Sequence, residues 1–84
     1  MNLSEKINEG AENITCSLVC LGSWQTQDEL HNLDWLKTTS AFGLSYYLEE
    51  AERRGWIRCR HRKGTESALE WTATAKGKRF NDSR

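Results

Sequence analysis

Apolar residues recur along this chain with two different periods, and the switch between them falls at Gly55. Before it, Leu44, Leu48 and Ala51 stand at i, i+4 and i+7, which makes one buried stripe and predicts a helix over 38–54. Thr38, Thr39 or Ser40 supplies its cap, and Arg53-Arg54-Gly55 closes it. Further upstream, Leu3, Ile7, Ala11, Ile14, Leu18 and Leu21 form a second stripe that stops at Gly22. Gly10 and the cluster Ile14-Thr15-Cys16 weaken it, so the secure part is about 12–21. Residues 1–11 are expected either to fray or to form an extension that packs on another subunit. The same spacing would suit a dimer seam, but a stripe this short is more often ordinary core. Between the two, Thr26-Gln27-Asp28-Glu29 is a capping box that starts a helix at Gln27, running to about Leu33 with Asn32-Leu33-Asp34 as a turn.

After Gly55 the period drops to two. Ile57, Cys59 and His61 alternate with Arg58, Arg60 and Arg62, so three arginines share the outer face of one strand. Lys63-Gly64-Thr65-Glu66 is the expected turn, and the returning strand 67–73 puts Leu69, Trp71 and Ala73 on one face. Thr74-Ala75-Lys76-Gly77 then opens a short helical turn carrying Lys78, Arg79 and Phe80, and the last four residues read as loose. The expected fold is α+β: three helices, a two-stranded β-hairpin and a short C-terminal helical turn. It forms a single domain over 1–84 with its core at about 12–80.

Composition changes this picture little, and charge changes it more. Only 37% of residues are hydrophobic, but four Trp, two Tyr and two Phe supply bulky core material. The formal net charge is zero, yet residues 1–50 hold two basic and eight acidic side chains while 51–84 hold ten basic and four acidic. Cys16, Cys20 and Cys59 are odd in number and match no zinc-finger spacing, which points to a reducing, cytoplasmic setting. Cys16 and Cys20 lie one helical turn apart and could share a metal with a histidine. With no third ligand nearby they read as buried free thiols, and no metal or cofactor is expected. The weakly polar run from Ile14 to Gly22 is too short for a bilayer and follows acidic rather than basic residues, so neither membrane span nor signal peptide is expected.

The succession of helix, capped helix, turn, helix, glycine and arginine-rich hairpin resembles a winged helix-turn-helix domain over roughly residues 12–80. The residues that carry the resemblance are Thr26-Gln27-Asp28-Glu29-Leu30, Leu44-Ser45-Tyr46-Tyr47-Leu48 with Ala51 and Arg54-Gly55-Trp56-Ile57, and Thr74-Ala75-Lys76-Gly77. They are similar to the bacterial arsenic-repressor and multiple-antibiotic-resistance-repressor superfamily, including its small single-domain members. The resemblance implies a repressor-like regulator that binds double-stranded DNA as a homodimer, with the third helix in the major groove and the wing, 57–73, on the backbone or minor groove. Carried over by position, the DNA-binding residues would be Thr39, Ser40, Phe42, Ser45, Tyr46 and Arg53 on the helix and Arg58, Arg60, Arg62 and Lys63 on the wing.

The chain also departs from that pattern. Ala41, Phe42 and Gly43 offer almost nothing to hydrogen-bond a base edge, and the outward face of the helix reads Phe42, Tyr46, Glu49, Arg53. Glu49 and Glu50 would repel phosphates and confine any DNA contact to the first turns. The arginine row favours phosphate contact over its alternative, the charged face of an edge hairpin, and Phe42 and Tyr46 could be half-buried against the first helix or a dimer partner. The four tryptophans read as core, and His31 and His61 as surface or semi-buried side chains. No phosphate-binding glycine loop or nucleophile–base pair is present, so an enzyme is not expected. The alternative to a regulator is a winged helix that binds a protein through the exposed face of the same helix, such as a phage or mobile-element inhibitor or adaptor.

Overall fold

The computed structural model describes residues 2–62, 64 and 68–84. In chain order these form α1 (Leu3–Leu21), β1 (Gln25–Thr26), α2 (Gln27–His31), a 3-10 turn (Asp34–Leu36), α3 (Ala41–Arg53), β2 (Ile57–His61), β3 (Leu69–Ala73) and α4 (Ala75–Asp82). The described residues form an α+β fold, with four α-helices beside a three-stranded antiparallel sheet in the order β1-β3-β2. The expected turn 63–66 lies outside the described residues except for Gly64.

α1 is one unbroken helix over Leu3–Leu21, so residues 3–11 are helical rather than frayed. Asn2 caps it by accepting the Glu5 N–H at 2.9 Å, and Gly22 ends it at φ 68°. Gly10, which weakened the helix by propensity, has a packing reason to be there. A Cβ at this position would lie 2.3 Å from Tyr47 Cδ1, so the ring of α3 lies directly on the bare backbone of α1. Below that crossing Ala11, Ile14 and Leu18 are buried, whereas Leu3 above it is exposed. The core is completed by Leu30, Leu36, Leu44, Leu48, Ala51, Ile57 and Trp71.

The capping box forms as expected: Thr26 Oγ1 accepts the Glu29 N–H at 3.2 Å, and Glu29 Oε1 accepts the Thr26 N–H at 3.0 Å. α2 is shorter than its predicted span, stopping at His31, because Leu33 turns extended (ψ 139°) and the following 3-10 turn buries Leu36. α3 starts at the Ser40 cap, whose Oγ accepts the Gly43 N–H at 3.0 Å. It ends in a Schellman pair, Trp56 N–H to Ala51 O at 3.1 Å and Gly55 N–H to Glu52 O at 2.9 Å, with Gly55 at φ 78°.

The hairpin pairs Ile57 with Ala73, Cys59 with Trp71 and Arg60 with Glu70. The sheet also gains a strand that periodicity could not reveal, since two residues, Gln25 and Thr26, pair with Trp71 and Glu70. The C-terminal turn is a full helix. Thr74 caps it by accepting the Gly77 N–H at 3.1 Å and donates its own hydroxyl to Gly55 O at 2.6 Å. The helix continues through residues expected to be loose, and Phe80 stacks on Trp56 with ring centroids 4.1 Å apart. This layout is compatible with a winged-helix-like arrangement. Among the described residues no helix is long and apolar enough to cross a membrane.

Candidate functional site

The first turns of α3 present fewer free polar groups than the sequence suggests. Ser40 is occupied as the cap. Gln27, at the start of α2, donates its amide to Ala41 O at 3.2 Å and to Ser45 Oγ at 3.4 Å. His31 Nε2 donates to the Thr39 carbonyl at 2.7 Å, which fixes the Nε2–H tautomer and ties the approach to α3 onto α2. What projects instead is apolar: Phe42 is 78% exposed and Tyr46 51%. With Leu3, Lys6, Ile7 and Tyr47 they line a groove of about 400 Å3 between the starts of α1 and α3. Glu9 borders the neighbouring depression with Lys6 and Tyr47, and Glu49 stands exposed one turn beyond Tyr46.

The C-terminal half of α3 is internally paired. Glu50 accepts from Arg53 Nε at 3.0 Å and Arg54 Nε at 2.6 Å, and Arg54 also donates to Asn8 on α1. The two guanidiniums, Arg53 foremost, hold the Glu50 carboxyl down at about 2. Arg53 is therefore part of an ion pair, and Glu50 is not the free acid that its place in the sequence implied.

The hairpin arginines point to the face predicted, but most of them are engaged there. Glu70, 4% exposed, accepts from Arg60 Nε at 2.8 Å and from Arg62 Nε at 3.1 Å. Arg62 also reaches the capping carboxylate of Glu29. Arg60, then Arg62, keep Glu70 below the usual carboxylate range, while Glu29 is lowered first by the Thr26 N–H it accepts. Trp24 lies beneath this row, its ring 3.9 Å from the Arg60 guanidinium carbon and 5.3 Å from that of Arg58. Of the tryptophans read as core, only Trp71 is buried, Trp24 and Trp56 are half-buried, and Trp35 sits at the surface with Nε1 donating to Ser17 Oγ at 3.1 Å. Arg58 shows no carboxylate partner among the described residues, nor do Lys76, Lys78 and Arg79 of α4. Lys63 lies outside the described residues.

No protein family, curated protein or solved structure matches the chain.

The structure thus separates most of the sequence-derived candidates into three groups. Phe42 and Tyr46 stand together over a groove; Arg60 and Arg62 stand together over a buried acid; Thr39, Ser40 and Ser45 serve the joints between elements. Sequence reasoning missed Leu3 and Ile7 as groove walls, Gln27 as a brace and Glu70 as the arginine partner. Glu70 was findable as a neighbour of the arginines, because alternation with Leu69 and Trp71 puts it on the arginine face of the hairpin, but pairing about the 63–66 turn would set Leu69 opposite Arg60, one residue off the observed register. Leu3 was not, because its exposure depends on where α3 crosses α1.

Proposed function

We propose that this chain is a winged-helix domain used for protein recognition, docking a segment of another protein in the groove between the starts of α1 and α3. The observation that carries this reading is the convergence of exposed Phe42, Tyr46 and Leu3 on one groove. Apolar side chains gathered in this way, beside polar ones, favour association with a protein. The groove belongs to the acidic half of the chain, with Glu5 and Glu9 on α1 and Glu49 on α3 exposed nearby and Lys6 as the one cation lining it among the described residues. The partner that fits is a segment with an apolar or aromatic anchor flanked by lysine or arginine. In this reading Arg60 and Arg62 hold the sheet together. Drawing either onto a ligand would strip a charge partner from the nearly buried Glu70, which opposes their use as free phosphate contacts.

Selection from a random peptide library tests it. Enriched peptides should carry that anchor and basic flank, and should bind Phe42→Ala ~100-fold more weakly, a loss of about 2.7 kcal/mol, while the variant keeps its melting temperature. Peptides that bind Phe42→Ala and the parent equally would overturn the reading.

The element order, together with Arg58, Lys76, Lys78 and Arg79, which have no carboxylate partner among the described residues, favours a second reading, a transcriptional regulator on duplex DNA. Thr39, Ser40, Phe42, Ser45 and Tyr46 would then enter the major groove. Gel shifts at low salt test it: binding should weaken steeply with ionic strength, and Arg58→Ala should reduce that slope by about one. An absence of binding at low salt would remove this reading.

A further inference from the structure

A second groove, of about 460 Å3, opens at the other end of α1, where Cys16, Cys20 and Leu21 face Leu33, Asp34 and Trp35. Both cysteines are free thiols, one helical turn apart on the same wall. On a helix the Cβ atoms of such a pair stand about 5–6 Å apart, so rotation about χ1 brings both sulfurs within reach of one ion between them. Arg84, just beyond α4, donates Nη1 to Cys16 Sγ at 2.7 Å and so places a fixed positive charge beside this sulfur. Among the described residues no group of three His, Cys, Asp or Glu side chains is placed to hold a metal. A four-coordinate zinc site therefore has too few protein ligands here. Two soft sulfur donors, with no third His, Cys, Asp or Glu side chain placed to join them among the described residues, suit a thiophilic monovalent ion.

We propose that Cys16 and Cys20 form a two-coordinate site for Cu(I). Binding exchanges two thiol protons, released to solvent, for one cuprous ion and leaves a bis-thiolate complex of net charge −1, with no change in oxidation state. Arg84 supplies the counter-charge, and Leu21, Leu33 and Trp35 wall the groove with apolar surface. Cys59 is the internal control: it lies on β2, its thiol donates to Glu52 Oε2 at 3.2 Å, and burial pushes its pKa up.

The test is anaerobic titration of the reduced chain with Cu(I) in competition with a chromophoric Cu(I) chelator, with far-UV circular dichroism to confirm folding and a mass measurement of the complex. One equivalent should bind to a monomeric chain. Cys16→Ser and Cys20→Ser should each abolish competition with the chelator, Cys59→Ser should leave it unchanged, and Arg84→Ala should weaken binding roughly 10-fold. The proposal is overturned if folded Cys16→Ser or Cys20→Ser still withdraws copper from the chelator, if Cys59→Ser loses it equally, or if the copper bridges two chains.

Discussion

The arginine hairpin and the outer face of α3 both invite a ligand in the sequence, but the structure treats them in opposite ways. In the hairpin, Arg60 and Arg62 turn back onto Glu70 and Arg60 stacks on Trp24, so the charge is used within the fold. On α3, Phe42 and Tyr46 have been left outside a core that had room only for Leu44, Tyr47, Leu48 and Ala51. A row of charges is not evidence of a binding surface until its counter-charges have been located. An exposed aromatic on a well-capped helix has no such explanation within the fold.

The largest expected effect on this contrast comes from Phe42→Ala, which removes the most exposed anchor. Peptide binding should fall ~100-fold, about 2.7 kcal/mol, while stability stays within about 0.5 kcal/mol of the parent, read by titration calorimetry and thermal melting. Gly10→Ala comes next. The added methyl meets the Tyr47 ring and forces α1 and α3 apart, costing about 1–3 kcal/mol in a denaturant melt and distorting the groove from beneath.

Glu70→Gln probes the other region. It should lower the melting temperature and at the same time raise retention on heparin, because Arg60 loses its ionic partner and Arg62 keeps Glu29 but loses one of its two carboxylates. Unchanged melting with unchanged retention would show that the pairs contribute nothing. Acid titration should give a related but shallower response. Glu29, Glu50 and Glu70 all have carboxyl groups held below the ordinary value of 4.5. Their stabilisation is complete above that value and is lost as pH falls through it, down to about 2 for Glu50. Denaturant midpoints should therefore drop across this window, and Glu50→Gln should flatten the lower part of the fall. The smallest effect belongs to Arg58→Ala, an exposed cation without a carboxylate partner among the described residues, whose stability cost should stay within about 0.5 kcal/mol.

Much of the fold was legible because it is written in local signals. The Thr26 box, the Leu44 stripe, Gly22 and Gly55 as stops and the period change after Gly55 each act within a few residues. What stayed hidden depends on distant neighbours. β1 is too short to show a period and exists only because β3 lies beside it. The continuity of α1 through Gly10 depends on a ring thirty-seven positions later, at Tyr47. The site was half legible for the same reason. Phe42 and Tyr46 could be placed on the outer face of a helix from spacing alone, but that Leu3 and Ile7 complete a groove with them follows from the crossing of two helices.

The most direct test of the account is an amide chemical-shift map of the labelled chain titrated with a library-selected peptide. The account predicts that the largest shifts fall on residues 3–10 and 39–49 while 58–62 stay still. Shifts concentrated on 58–62 and 76–79, with the α1 and α3 groove unmoved, would contradict it.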